Sequence, residues 1–177
     1  MTGRHARRLR AALLEHWPRL HAYALVLTQD RDLAEDLLQE CAIRALSTAH
    51  APRGDRPVLL WFFAVLRNAW IDHCRRQRIV AFEPLEEETP LPADYPGPVA
   101  RLDDRVALQE AFARLSPPHR EIVVLVDLAG FGYQEVAELL AIPPGTVMSR
   151  VSRARRALLR ELQASDAAAR RKRMLAR

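Results

Sequence analysis

A proline-rich acidic stretch near the middle of this 177-residue chain constrains the fold most strongly. Residues 82–100 read FEPLEEETPLPADYPGPVA, with five prolines, five acidic residues and no basic residue. Proline lacks the backbone donor that a helix needs, and so polar a stretch buries little surface, so we expect a flexible linker. On both sides of it apolar residues recur at helical spacing, and no alternating strand pattern appears. The sequence therefore predicts an all-α fold of two small helical domains joined by this linker.

The linker sets the predicted domain boundaries, which are an N-terminal helical bundle at 1–80, the linker at 81–100, a C-terminal domain at 101–165 and a basic tail at 166–177. The bundle should hold three helices. Pro18 permits a break in the first, the second should run from about Asp32 to Leu46, and the third from about Pro57 to Arg78. In the second helix, Asp32 and Glu35 resemble a capping pair.

The C-terminal domain carries its own start and stop signals. Helices should resume near Leu102. Ser116 and the proline after it are typical of a cap and first turn, and Gly130 is a natural helix stop. Two short helices should follow, separated by the Pro-Pro-Gly turn at 143–145.

The charge of the chain is concentrated at its C-terminal end. The net charge is +5, but residues 143–177 hold ten basic and two acidic residues. Such an end suggests a polyanion as partner, although a basic tail that only aids solubility would have the same composition. Cys41 and Cys74 lack the spacing of a disulfide framework or a metal site, so we expect no metal and no cofactor. The longest apolar run, Val58–Leu66, is less than half of the roughly 20 residues that cross a bilayer, and the expectation is a cytoplasmic protein.

The two helices around the Pro-Pro-Gly turn have the spacing of a helix-turn-helix. With Tyr133 as first position, Ala137 is the fifth, Ala141 the ninth and Val147 the fifteenth, and these positions are packed closely where two helices cross a short turn. On a helical wheel the second helix has one apolar stripe (Val147, Val151, Ala154, Leu158, Leu162) opposite a polar one (Ser149, Ser152, Arg153, Arg156, Arg160), with Arg150 and Arg155 on the flanks.

This polar stripe is typical of a helix that enters the major groove of DNA. The leading residues should meet base edges, and the candidates are Thr146, Ser149, Arg150 and Arg153. Further along the helix, Arg155, Arg156 and Arg160 are expected to meet phosphate or solvent. A solvated arginine-rich helix is the other interpretation of this pattern.

Two patterns in the N-terminal half suggest further partners. The second helix has an acidic stripe (Asp32, Glu35, Asp36, Gln39, Glu40) that suits a basic partner helix, although such stripes are often only solvated. The third helix places aromatic residues ahead of a polar run (Arg67, Asn68, Asp72, Arg75, Arg76, Arg78), a combination that suits unstacked single-stranded bases. Most of the aromatic side chains at Trp61, Phe62 and Phe63 are expected in the core.

Taken in order, these motifs resemble the bacterial extracytoplasmic-function (ECF) sigma factors of RNA polymerase. The resemblance covers about Leu20 to Leu162 and rests on DLAEDLLQE, then RGD, then WFFAVLRNAWIDHCRRQR, then LSPPHREIVVLVDLAGFGYQEVAELLAIPPGTVMSRVSRARRAL. It implies a non-enzymatic subunit that binds core RNA polymerase and directs promoter-specific initiation. It also implies a linker that threads through the polymerase, and an anti-sigma factor as a further partner.

The resemblance assigns three groups of residues. Docking on the β′ clamp helices of polymerase is expected from Glu35, Asp36, Leu37, Gln39 and Glu40. The minus-ten element, as melted DNA, is expected at Arg53, Gly54, Asp55, Arg67, Asn68, Asp72, Arg75 and Arg76. The minus-thirty-five element, as duplex, is expected at Thr146, Ser149, Arg150, Ser152, Arg153 and Arg156, while another surface of that domain meets the β flap. The chain departs from the family at Met148, where a basic residue is common, and at Gly132, where serine is usual.

Three other classes of protein compete with this interpretation. A stand-alone helix-turn-helix regulator would leave the N-terminal motifs unexplained, and a sigma mimic that sequesters an anti-sigma factor would not need its DNA-reading arginines. A metal-dependent nuclease could use the carboxylates of the second helix, but no second helix carries a matching set and no glycine-rich phosphate loop is present.

Overall fold

The computed structural model describes the backbone of residues 3–48, 51–77 and 104–175, and the side chains of residues 6–48, 51–77 and 108–165. Within these ranges the chain is helical and contains no strand, which confirms the predicted all-α class. The predicted linker at 81–100 lies outside the described residues.

The N-terminal unit consists of three helices, α1 (Gly3–Thr28), α2 (Arg31–Ser47) and α3 (Asp55–Gln77). The break permitted at Pro18 does not occur, because α1 runs through this residue. Leu13 and Leu20, on either side of the proline, are both buried. Their packing holds the two halves of α1 in line, which offsets a cost of about 3 kcal/mol for an interior proline.

The cap of α2 lies two residues earlier than predicted. Asp30 is the N-cap residue, and its carboxylate accepts a hydrogen bond from the backbone N–H of Leu33 at 2.9 Å. The predicted capping pair of Asp32 and Glu35 is therefore wrong, because both residues already lie inside the helix. Pro57 lies in the first turn of α3, as predicted, and α3 follows Gly54, whose φ of 96° is accessible to glycine at little cost.

The C-terminal unit consists of α4 (Asp104–Ala113), α5 (Pro117–Val123), a π-helical segment (Val124–Leu128), α6 (Tyr133–Leu140) and α7 (Pro144–Leu175). Ser116 is the N-cap position of α5, but its hydroxyl makes no capping hydrogen bond. The chain leaves the π-helical segment at Ala129 and turns at Gly130, whose φ is 68°, so the predicted stop is confirmed.

The second helix of the helix-turn-helix is much longer than predicted. We expected a short helix and a separate basic tail, but α7 spans 32 residues and continues to Leu175. Beyond Gly145 the chain has no proline or glycine before that residue, and it is rich in alanine, arginine and leucine. These are the residue types with the highest helix propensity, so nothing local ends the helix sooner.

The two units pack against each other and share one hydrophobic core. Phe62 and Phe63 of α3 are fully buried, as expected from the sequence, and the same cluster includes Ile122, Leu125 and Phe131 of the C-terminal unit. The edge of the Phe131 ring meets the Phe63 ring at a centroid distance of 5.0 Å. α1 contacts α5, and α3 contacts α6. The sequence predicted two units but gave no sign of this interface.

Candidate polymerase and promoter DNA interfaces

The turn between α6 and α7 has the helix-turn-helix geometry that the spacing predicted. Ala137 and Val147 are both buried where the helices cross. Ala141, the ninth position, has a left-handed backbone with φ 55° and ψ 46°. The turn is closed by a hydrogen bond of 3.0 Å from the Ile142 N–H to the Ala137 carbonyl. Glycine adopts this left-handed backbone without strain, whereas the Cβ of alanine lies too close to the following carbonyl oxygen and makes the conformation less favourable.

Gly132 begins α6 without a side-chain cap of its own. Its backbone N–H donates to the Glu135 carboxylate at 2.7 Å, which supplies the return half of a capping box. Glu135 also pairs with Arg56 of α3 in the other unit, with a first hydrogen bond of 2.6 Å. This bond from Arg56 holds the pKa of Glu135 below its usual range. The missing serine cap is therefore offset by a carboxylate that also binds the N-terminal unit.

The polar stripe of α7 faces away from the core. Val147, Val151 and Ala154 are buried, whereas the residues assigned to the minus-thirty-five element are half-buried (Thr146, Ser149, Arg150, Ser152, Arg153, Arg156). Two of the arginines lie along the helix surface. Arg153 donates to the Ser149 hydroxyl at 3.1 Å and Arg156 to the Ser152 hydroxyl at 2.8 Å. The serines thus hold both guanidinium groups on this face of the helix.

One arginine of α7 has a different role from the predicted one. We expected Arg155 to meet phosphate or solvent, but it forms two hydrogen bonds with Asp127 of the π-helical segment, one of them 3.1 Å long. The structure therefore places this charge in a bond within the C-terminal unit. Sequence periodicity could not show this, because Asp127 lies 28 residues earlier.

His119 is a residue that the sequence interpretation missed. It lies half-buried in the first turn of α5, and its Nε2 atom is buried with no hydrogen-bond partner among the described residues. Burial lowers the pKa of this imidazole, and the charges of Arg153, Arg150 and Arg160 lower it further. The start of α5 therefore lies within the positive field of the α7 arginines.

The acidic face of α2 is exposed at three of the five positions assigned to polymerase. Glu35, Asp36 and Gln39 are exposed and Glu40 is half-buried, whereas Leu37 is only 2% exposed and packs in the core. Leu37 therefore packs in the core behind this face and offers no contact surface.

A groove beside the acidic face is lined by Trp17, Pro18, His21, Glu35, Leu38 and Gln39. The apolar residues of this groove (Trp17, Pro18, Leu38), with the Glu35 carboxylate among its lining, suit a basic amphipathic helix.

The structure separates the residues assigned to the minus-ten element into three places. Asn68, Asp72, Arg75 and Arg76 share one face near the C-terminal end of α3, since at about 100° per residue they fall within an arc of about 100°. The group at 53–55 lies at the other end of the helix, about 20 Å away at 1.5 Å per residue. Arg67 points elsewhere and donates to the Glu121 carboxylate of the C-terminal unit at 2.9 Å.

Arg44 connects the first of these places with the acidic face of α2, and sequence reasoning missed it. Its guanidinium bonds Glu40 at 2.6 Å and Asp72 at 3.2 Å. Arg76 lies 3.8 Å from the same Glu40 carboxylate. The i,i+4 spacing of Glu40 and Arg44 could have predicted their ion pair within α2, but it does not indicate the contact of Arg44 with Asp72 of α3.

A buried carboxylate lies between the two units. Glu121 of α5 accepts hydrogen bonds from Arg67 and, at 2.8 Å, from the Tyr23 hydroxyl of α1. Burial raises the pKa of the Glu121 carboxyl, and the charge of Arg67 offsets part of that rise. Burial and the neighbouring carboxylate raise the pKa of Tyr23.

Neither a metal cluster nor a membrane span is found among the described residues. No three histidine, cysteine or acidic side chains there form a group that could hold a metal ion, and no helix is long and apolar enough to cross a membrane. Cys41 and Cys74 are both buried and free, and burial raises the pKa of Cys41 to about 12.

Comparisons with known proteins match both units. Residues 13–79 match the Sigma-70 region 2 family, and residues 105–158 match Sigma-70, region 4. The chain is also 36% identical over 158 residues to the ECF RNA polymerase sigma factor SigL of Mycobacterium tuberculosis, covering 88% of this chain and 89% of that protein. The chain belongs to the ECF sigma factor family.

Further relatives support this ECF sigma factor assignment. The ECF RNA polymerase sigma factor SigM of Mycobacterium tuberculosis is 34% identical over 147 residues, covering 83% of this chain and 73% of that protein. Among solved structures, the sigma factor RpoE in complex with the anti-sigma factor NepR from Bartonella quintana matches with a TM-score of 0.68 and 28% identity, covering 89% of this chain and 98% of that chain. As a sigma factor, the protein directs promoter-specific transcription initiation by RNA polymerase, and regulators of this kind are not enzymes.

Proposed function

We propose that this sigma factor docks on the β′ clamp helices of core polymerase through α2, holds the melted minus-ten element on α3, and reads the minus-thirty-five duplex with α7. The observation that carries the proposal is the placement of opposite charges on separate exposed faces of one chain. The face of α2 is acidic at Glu35 and Asp36, whereas the face of α7 carries arginines and serines. Only the second face suits a polyanion, and the first would repel it.

The acidic face of α2 has the chemistry of a protein contact. Its exposed carboxylates lie beside the groove that holds Trp17 and Leu38. A basic amphipathic helix would fill the groove with its apolar side and pair its charges with the rim. Such complementarity contributes to the choice of partner and to the rate of association.

The polar face of α3 suits a single strand. Asn68, Arg75 and Arg76 are exposed there. Amide and guanidinium groups can hydrogen-bond the edges of unstacked bases and the backbone phosphates. The Arg44 bridge to Asp72 and Glu40 fixes α3 against α2. A melted strand on α3 would therefore be held in a defined position relative to the polymerase contact.

The leading turns of α7 suit the major groove of duplex DNA. Ser149 and Arg153 lie on the face opposite the buried Val147 and Val151. Arginine forms paired hydrogen bonds with guanine, and serine reaches bases or phosphates. Arg156, one turn further, suits a phosphate contact. We also infer a contact of the C-terminal unit with the β flap, away from the α7 polar stripe, and an anti-sigma factor as partner, since the RpoE structure contains one.

Measuring the binding of variants to core polymerase tests whether the acidic face of α2 is a docking surface or only a solvated face. Asp36→Arg should abolish co-elution with core polymerase, because it reverses a charge at the centre of the proposed contact. Glu138→Arg is the matched control, since it makes the same change on an exposed carboxylate of α6. Equal binding by both variants would refute docking through α2. Run-off transcription with core polymerase on genomic fragments tests initiation itself and identifies the promoter.

A further inference from the structure

The leading turns of α7 present an exposed apolar side chain. Met148 is the fifth residue of this helix, and it is 57% exposed. Every other residue from 146 to 158 is buried or half-buried. The most accessible side chain on the part of α7 assigned to the minus-thirty-five duplex is therefore a thioether, and the arginines around it are more covered.

Hydrogen bonds within α7 explain why Met148 stands out from its neighbours. The Arg153 guanidinium donates to the Ser149 hydroxyl at 3.1 Å, and that of Arg156 donates to the Ser152 hydroxyl at 2.8 Å. Both long side chains therefore lie along the helix surface. A thioether has no donor and is only a weak acceptor, so no bond of this kind draws Met148 back onto the helix.

Met148 lies on one flank of the polar stripe. At about 100° per residue it is about 100° around the helix from the buried Val147 and about 40° from Ser152. Arg150 and Arg153 lie toward the other flank. Side chains at different positions of a recognition helix meet different base pairs, so Met148 and Arg153 are placed at different positions of the DNA element.

The flank that carries Met148 is poorly suited to the DNA backbone. Arg155, about two turns further along this flank, is bonded to Asp127 of the π-helical segment at 3.1 Å. Phosphate oxygens are bound by arginine, lysine and other donors, whereas a thioether offers neither a charge nor a donor. An exposed Met148 next to DNA therefore has to meet a base edge.

A single group in the major groove matches this side chain. The edges of the base pairs present hydrogen-bond donors and acceptors there, and thymine adds an apolar 5-methyl group. Contact between this methyl group and Met148 removes apolar surface of both from water, which is favourable. Methionine is unbranched and has three rotatable bonds, so it can adapt to the position of the methyl group. Against other base edges it would leave a donor or acceptor without a partner, which is unfavourable.

We propose that Met148 contacts the 5-methyl group of a thymine in the minus-thirty-five element and thereby selects thymine at that position. This contact rests on the proposed function, in which α7 lies in the major groove of the duplex. It adds the chemical group that is recognised at one position and the residue that recognises it.

Replacement of thymine by uracil removes only the methyl group and tests the contact directly. The holoenzyme, formed from the full chain and core polymerase, is bound to promoter fragments identified by run-off transcription. Each thymine of the minus-thirty-five element, on either strand, is replaced in turn. One replacement should weaken binding by the wild type about fourfold, as expected for the loss of one buried methyl group.

Variants at position 148 connect this effect to the side chain. Met148→Ala should bind the thymine and uracil fragments equally, whereas Met148→Leu keeps an apolar side chain and should keep the preference. Alanine and leucine both favour a helix, so α7 should be retained. The matched control is Leu159→Ala, which removes another exposed apolar side chain of α7 beyond the leading turns and should keep the full preference. An equal preference in Met148→Ala and the wild type would refute the contact.

Methylated cytosine provides an independent measurement of the same contact. At the position found with uracil, a pair of 5-methylcytosine and guanine should be bound by the wild type about fourfold more tightly than the unmethylated pair. Met148→Ala should bind both pairs equally. No difference in the wild type would show that another feature of thymine is recognised, and the proposal would then be wrong.

Substitution of whole base pairs distinguishes a failure of this contact from a failure of the proposed function. If substitutions in the minus-thirty-five element weaken binding but uracil is tolerated at every position, the contact of Met148 with thymine is excluded and the reading of the duplex by α7 stands. If the wild type is also indifferent to every substitution, α7 does not read this element, and the proposed function fails together with the contact.

Discussion

Arg155 of α7 forms two hydrogen bonds with Asp127 of the π-helical segment, one of them 3.1 Å long. Both side chains are about one-third exposed. The pair ties α7, the long second helix of the helix-turn-helix, to the π-helical segment that precedes α6. The neighbouring arginine of α7 has a different contact. Arg156 donates to the Ser152 hydroxyl, one turn earlier in the same helix, and not to a residue of another element among the contacts described for it.

Replacement of Arg155 should reduce stability with little effect on DNA binding. A partly exposed arginine-carboxylate pair with two hydrogen bonds contributes about 1 kcal/mol to the stability of the folded chain. Arg155→Ala should therefore lower the free energy of unfolding by about that amount, measured by urea titration. Asp127→Asn should have a similar effect, and the double variant should lose little more. If Arg155→Ala instead weakened minus-thirty-five binding as much as Arg153→Ala, its role would be a DNA contact.

Glycine at position 141 should stabilise the protein. Ala141 has a φ of 55°, where its Cβ costs about 1–2 kcal/mol. Glycine removes that strain but adds freedom to the unfolded chain worth about 0.4–1 kcal/mol, so Ala141→Gly should raise the free energy of unfolding by about 0.5 kcal/mol. The matched control is Ala137→Gly in the regular helix α6, which should lower it by about 1 kcal/mol. A loss of stability in Ala141→Gly would mean that the turn is not strained.

His119 should make the stability of the protein depend on pH below neutrality. Burial and the arginines of α7 lower its pKa in the folded chain from the ordinary 6.5. The unfolded chain therefore binds more protons, and stability should be greatest above pH 6.5 and fall as the pH drops below that value. His119→Asn should remove this part of the slope in thermal melts between pH 7.5 and 5.5. His16→Asn on α1 is the control, and equal slopes in both variants would exclude His119 as the source.

Arg153 should determine the base at one position of the minus-thirty-five element. Arg153→Ala should cost about 1–3 kcal/mol on the preferred sequence and much less when that base is changed. Binding to a set of duplexes, each with one base pair substituted, measures this. Arg160→Ala, further along the helix, is the control and should weaken all duplexes alike with a smaller salt dependence. Uniform weakening by Arg153→Ala would identify a phosphate contact instead.

Local patterns in the sequence were sufficient for the helices and for the helix-turn-helix. The spacing of Ala137, Ala141 and Val147 depends on residues that are close in the chain, so it could be recognised without coordinates. Where local signals competed, the sequence was less reliable. Pro18 permitted a break that packing on both sides prevents, and the cap of α2 lies at Asp30 rather than in the acidic pair that follows.

By itself the sequence determined the all-α class, the two helical units, the arginine-serine face of α7 and the resemblance that the comparisons confirm. Only the tertiary structure decided which charges meet. Tyr23 and Glu121 are 98 residues apart, Arg56 and Glu135 are 79 apart, and neither pair leaves a periodic trace. The physical reason is that helix periodicity follows from bonds four residues apart, whereas an ion pair between units depends on how whole helices pack. The sequence therefore predicted the DNA-reading helix, and the fold revealed the contacts that join its unit to the N-terminal unit.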